Sequence, residues 1–285
     1  MKPSFPLLLL CTAALLRAAT PNEAAAVLFQ AKKFPAARAA FEQIAATTPN
    51  NAEAHYYLGL LAERRNDTDE AVRQLELATT LAPTISDYFA DLGDAYGTAA
   101  RTASIFSQLG YAKKCLAALE KAVALDPDNL DARNGLISYH QQAPGFAGGS
   151  MAKAYVQAAE IRKRNPTMGA TVLAQLYVTD KKYDEAFALF EETLKTAPDN
   201  YLALYSIGRL AALTGQRLAR GEQTLRRSLT LTPGKNEPPH AAAHWRLGNL
   251  AEKRGEKPAA RAAYEAALKL DPAFKPASDS LAKLN

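Results

Sequence analysis

Cysteine is nearly missing: among 285 residues only Cys11 and Cys115 occur. Cys11 falls in an apolar leader, so once that leader is removed Cys115 has no partner and an intrachain disulfide is excluded. Long apolar runs are missing too. The longest, from Phe5 to Leu16, is shorter than the 20 or so residues that a membrane-spanning helix needs. It follows Met1 and Lys2 and precedes the small residues Ala18, Ala19 and Thr20, the order of a secretory signal peptide. Residues 1–20 are therefore expected to be cleaved, which sends the mature chain to the periplasm or the exterior without a transmembrane span.

No strong excess of one charge is present. The formal net charge is +5, and without Lys2 and Arg17 the mature chain carries 32 basic against 29 acidic residues, a net +3. The two signs are interspersed along the chain, whereas nucleic-acid binders concentrate positive charge in a patch, so nucleic acid is not an expected partner. Catalytic constellations are lacking as well. No Ser, His and Asp set and no carboxylate pair can be placed together. Gly145, Gly148, Gly149 and Ser150 precede a helix, but the lysine of a phosphate loop is absent and a helix, not a strand, comes before. His240 and His244 share a helix face with only alanines between them, two ligands where a protein zinc site needs three or four. Neither enzyme activity nor a metal or other cofactor is expected. Cys115 takes a small-residue position in its segment and reads as a buried structural thiol.

What the chain does have is internal repetition. Helix-length pairs of segments end at Pro49, Pro83, Pro127, Pro166, Pro198, Pro233 and Pro272, and a period near 34 residues marks an array of helical hairpins. The clearest unit, Ala52 to Ile85, places Leu58, Gly59 and Ala62 on one face of its first helix and Ala71, Leu75 and Ala78 on one face of its second. Asn66 and Asp67 mark the turn between them, and Pro83 stops the second helix. The last unit repeats the pattern with Leu247, Gly248, Ala251, Ala260, Tyr264, Ala267 and Pro272. The fifth and sixth supply Leu173, Ala174, Ala186, Phe190, Ile207, Gly208 and Leu225. Such arrays bury each unit on its neighbours and present extended binding surfaces.

These residues resemble the tetratricopeptide repeat (TPR). The resemblance implies an all-α fold, a right-handed superhelical solenoid of about seven helix-turn-helix units over residues 21–285. A capping helix is expected at residues 276–284. Two units depart from the pattern. The third carries extra residues near 97–110, where Ala99, Ala103, Phe106 and Leu109 suggest longer hairpin arms or a short added helix. The fourth carries Gln141 to Ser150, rich in Pro and Gly.

The resemblance also implies a role, that of an exported scaffold or adaptor binding a peptide or protein in a groove lined by first helices, most simply as a monomer. Carried over position by position, the groove residues are Tyr56, Tyr57, Asp91, Asp94, Asn134, Gln141, Tyr205, Arg209, Trp245, Arg246 and Asn249. The middle of this set is acidic and the C-terminal end basic. A non-catalytic accessory subunit of a cell-envelope enzyme, or an assembly factor using its convex face and insertions, are the alternative readings.

Overall fold

The computed structural model describes residues 19–284, and all elements of regular structure among them are helical. The expected signal peptide lies, apart from Ala19 and Thr20, outside the described residues. Contacts divide the chain into two compact units that meet in sequence at Gly149 and Ser150. The first contains α1 (Pro21–Gln30), α2 (Phe34–Thr47), α3 (Ala52–Glu63), α4 (Thr68–Leu81), α5 (Ser86–Thr102), α6 (Ile105–Leu125) and α7 (Leu130–Gln142), followed by a 3-10 turn at Gly145–Ala147. The second contains α8 (Met151–Arg164), α9 (Pro166–Thr179), α10 (Tyr183–Thr196), α11 (Tyr201–Thr214), α12 (Leu218–Ser228), α13 (His240–Lys253), α14 (Lys257–Leu270) and α15 (Lys275–Lys283). The two helices expected to form the fourth hairpin, α7 and α8, thus belong to different units.

One packing device recurs within the hairpins. A glycine on the first helix leaves room for a large side chain from the second, so a Cβ added at Gly59 would lie 2.6 Å from Leu75, and one at Gly93 2.6 Å from Leu119. In the second unit the same relation holds between Gly208 and Leu225, and between Gly248 and Tyr264, each at 2.2 Å. Leu75, Leu119, Leu225 and Tyr264 are accordingly buried to 1% exposure or less. Leu119 also reaches the next hairpin, where Gly135 of α7 faces it in the same way. A methyl group at these glycines would force helices apart in a core packed at crystal-like density.

Helix ends follow from local chemistry. Asn51, Asp67, Asn129 and Asn200 each accept a hydrogen bond at the start of a helix from the backbone N–H three residues on, a cap that typically contributes about 1 kcal/mol. Asn129 does more. While its oxygen caps α7, its amide donates to Ser86 Oγ at 2.8 Å and to Asp87 Oδ1 at 3.0 Å, which ties the starts of α5 and α7 together. Pro166 opens α9 and does not close α8, because Asn165 ends one helix and caps the next. The fixed φ of proline suits a first helical position.

The third hairpin resolves its extra residues as longer arms, α5 with 17 residues and α6 with 21, turning at Ala103 and Ser104. The Pro- and Gly-rich segment folds back on its own unit. Tyr139 donates its hydroxyl to the Ala147 carbonyl at 2.5 Å, and the His140 ring pairs with the Gly148 carbonyl at 3.1 Å. Gly149 is required there, since a Cβ would lie 1.7 Å from the Ala143 carbonyl oxygen. Close backbone contact accounts for Gly149, and a left-handed backbone with φ of 93° for Gly148. At the other end, Leu281 and Leu284 are partly buried against a cluster containing Tyr264 and Ala277.

Candidate functional site

In the first unit the outer faces of α3, α5 and α7 enclose an acidic cleft of about 580 Å³. Successive turns of α3 contribute Tyr56, Leu60 and Glu63, α5 contributes Asp87 and Asp91, and α7 contributes Asp131, with Phe29 and Arg64 at the edge. Tyr56 is fixed by stacking on Tyr88, with ring centroids 4.3 Å apart, and donates its hydroxyl to Asp91 Oδ2 at 2.7 Å. Burial, and then the Asp91 charge, raise the Tyr56 pKa, which keeps the phenol protonated and donating.

The carboxylates crowd one another. Burial and the charges of Asp91 and Asp94 push Glu63 up to about 7, while burial with Asp91 and Asp131 pushes Asp94 up to about 6. Asp94 meets water at the open side of the groove but has protein around most of its carboxyl. Asp91 is also raised, by burial first, although the Tyr56 hydrogen bond opposes this. Among the described residues none of Glu63, Asp87, Asp91, Asp94 or Asp131 forms an ion pair. Arg64 at the edge, and Arg101, whose charge opposes the rise at Asp94, offset only part of the negative field of this partly desolvated cluster. No group of three or more ligating side chains suited to a metal ion occurs among the described residues.

Several of the sequence-predicted groove residues converge here, and others do not. Tyr56 and Asp91 line the cleft, and Asp94 follows one turn along α5. Tyr57 instead stacks on Phe41 at 4.6 Å and packs against the core of the first hairpins. Asn134 is half-buried on α7, and Gln141 is exposed while its neighbour Gln142 lines the pocket beyond. Glu63 and Asp131 were missed. Glu63 stands seven residues after Tyr56, two turns along the same face, so extending the helical stripe by one turn would have found it.

The second unit holds the basic positions. Tyr205 must be corrected: it is 6% exposed and belongs to the core of α11, because its flanking positions Leu204 and Ser206 are also covered. Trp245 donates Nε1–H to Ser280 Oγ at 3.0 Å and packs edge-on to Phe274, and the Asn249 oxygen accepts from the Tyr264 hydroxyl at 2.8 Å. Those two polar groups are spent on holding the C-terminal helices together. Arg209 and Arg246 are different. Burial, and then the Arg246 charge, lower the Arg209 pKa, and neither guanidinium forms an ion pair among the described residues. The Arg246 guanidinium lies 3.9 Å over the Trp245 ring and its Nε is buried without a hydrogen-bond partner.

Family models described as tetratricopeptide repeat match residues 22–84, 100–129, 171–236 and 241–274. The chain belongs to the tetratricopeptide repeat family. No curated protein matches it. Among solved structures, a TPR protein from Parabacteroides merdae is 16% identical, aligning 93% of this chain with 96% of that one at a TM-score of 0.60. The C-terminal part of a TPR repeat-containing protein from Cytophaga hutchinsonii is 17% identical over 91% of this chain and 99% of that one, with a TM-score of 0.54. Yeast Tom70 is 17% identical, with 89% of this chain covering 51% of that one at a TM-score of 0.61. At these identities the likeness speaks for the fold alone, an all-α TPR solenoid, and the fold is that of a protein–protein interaction scaffold. Among the described residues no helix is long and apolar enough to cross a membrane.

Proposed function

We propose that this TPR protein is an exported, non-catalytic adaptor whose first unit takes a cationic segment of a partner protein in the cleft between α3, α5 and α7. The observation that carries this reading is the group of carboxylates without an ion pair that line the cleft, Glu63, Asp87, Asp91 and Asp131, of which Glu63 is held at about 7. A lysine or arginine side chain entering the cleft relieves the mutual repulsion and adds countercharge, so complementarity supports both the on-rate and the register of binding. Tyr56, fixed by Tyr88 and Asp91, offers an aromatic wall of the type that often carries interface energy.

Export rests on the order of residues 1–20, and a monomeric state on a core of seven hairpins' worth of helices. Nucleic acid is disfavoured because the exposed charge of this cleft is negative. The test is binding of a fluorescent lysine-rich peptide, read by anisotropy at low and high salt, to the wild type and to Asp87→Asn with Asp91→Asn, both on the cleft wall. Affinity should fall at least tenfold in the variant and in high salt. Unchanged affinity in a variant with wild-type circular dichroism refutes the cleft as the binding site.

A further inference from the structure

Beyond the acidic cleft the first unit contains a larger pocket of about 870 Å³, placed between the long arms of α5 and α6 and the turn at Gly145–Ala147. Its walls include Ile105, Leu109 and Phe146, which are 77%, 38% and 82% exposed, and Phe106 beside them is 95% exposed. Large apolar side chains grouped in this way on a surface mark an interaction site. Both departures from the repeat pattern build this one feature.

The pocket follows the cleft along the same two helices. On α5, Asp87 and Asp91 line the cleft, while Asp94, Thr98 and Arg101 line the pocket. Those positions recur every three or four residues and so form a single stripe. On α7 the same holds for Asp131 in the cleft and Gly135, Ser138 and Gln142 in the pocket. Two parallel stripes running from one cavity into the other make a single trough. Its character changes along its length, from three aspartates on α5 to Arg101 and then to the apolar tip. That gradient sets the direction of the occupant. The cationic end belongs beside Asp87 and Asp91, and the uncharged end beside Ile105 and Phe146.

We infer that the two insertions form an anchor pocket for a bulky apolar side chain of the same cationic segment that occupies the acidic cleft. The inference rests on the cleft reading above and adds the chemistry and spacing of the partner. From Asp91 to Thr98 the helix rises about 10 Å at 1.5 Å per residue, which an extended peptide covers in about three residues at roughly 3.3 Å each. The recognised segment therefore carries Lys or Arg about three residues from Phe, Leu or Trp. The whole stripe from Asp87 to Arg101 spans about 21 Å, or about six extended residues.

The test uses labelled peptides of two lysines, two glycines and a phenylalanine, made in both chain directions. Each is compared with its alanine replacement and with a lysine-free version, by anisotropy against the full chain. Phenylalanine in place of alanine should tighten binding about tenfold or more in one direction, the gain for burying such a ring. Ile105→Ser with Phe146→Ser, at exposed positions where folding is spared, should reduce that preference below about twofold and leave lysine-dependent binding intact. Equal binding of the phenylalanine and alanine peptides overturns the anchor pocket alone, provided Asp87→Asn with Asp91→Asn, which line only the cleft, still weakens both. Loss of any response to the aspartate substitutions overturns the cleft and the anchor together. If the lysine-free peptide binds as tightly as the lysine peptide, the pocket acts apart from the cleft and the inference is wrong.

Discussion

Glu63→Gln should stabilise this protein at alkaline pH and leave it unchanged in acid. In the unfolded chain the Glu63 carboxyl ionises near its ordinary 4.5, and in the folded protein near 7. Between those values the folded state holds a proton that the unfolded state has released, so stability is full below 4.5 and falls as pH rises through 7. At 1.36 kcal/mol per pH unit the gap sets a ceiling of roughly 3 kcal/mol. Glu63 is half-exposed on the cleft wall, and solvent screening lowers the expected cost to about 1–2 kcal/mol. Glutamine keeps the shape and removes the charge. The wild type should therefore melt lower at pH 8 than at pH 5.5, and the variant should exceed it at pH 8 by about 2–8 °C, taking roughly 2–4 °C per kcal/mol for a chain of this size.

The assay is thermal unfolding by circular dichroism of both proteins at pH 4, 5.5, 7 and 8 in one ionic strength. At pH 4 the curves should coincide, because both side chains are then neutral. An offset of the same size at pH 4 and pH 8 would mean that glutamine acts through packing, and a variant less stable at pH 8 would mean that Glu63 has a countercharge. Either result refutes the picture of a cleft kept short of positive charge. A saturating lysine peptide should also raise the melting point of the wild type more at pH 8 than at pH 5.5, because only the ionised cleft repels itself.

Gly149→Ala would place a Cβ 1.7 Å from the Ala143 carbonyl oxygen, whereas Gly110→Ala on the exposed arm of α6 meets nothing within 4 Å. Denaturant unfolding should show the first losing more than about 2 kcal/mol and the second gaining about 0.5–1 kcal/mol from the better helix propensity of alanine. The Cys115 thiol is buried, which pushes its pKa up to about 12. Iodoacetamide should leave Cys115 unmodified in native protein and alkylate it after unfolding, as read by peptide mass mapping. Arg209→Gln should stabilise the protein by on the order of 1 kcal/mol, read as a higher melting temperature, since it removes a half-buried charge that burial and Arg246 disfavour. A lower melting point would assign Arg209 a stabilising partner.

The array was legible because its contacts are local. Gly59 and Leu75, or Gly248 and Tyr264, sit 16 residues apart in sequence and meet in one hairpin, so spacing along two helices was enough to identify them. Tyr56 and Asp91 were legible for the same reason, each standing at a first-helix position of consecutive units. What the spacing could not carry was the use of each polar group after packing. Asn249 and Trp245 occupy groove-like positions, yet Tyr264 and Ser280 claim their hydrogen bonds, and those partners come from two later helices. Tyr205 sits among Leu204, Ser206 and Ile207 in a helix covered on nearly all sides, and a helix without an exposed stripe has no amphipathic signature to separate surface from core. The insertions were hidden differently. Phe106 and Phe146 lie 40 residues apart in stretches that the 34-residue spacing read as insertions, so no periodicity relates them; only the length of α5 and α6, and the fold-back of Tyr139 and His140 onto the following turn, bring the two segments to one pocket. Groove and insertions, alternatives while only spacing was available, are successive lengths of the same trough because both are written on the outward stripes of α5 and α7.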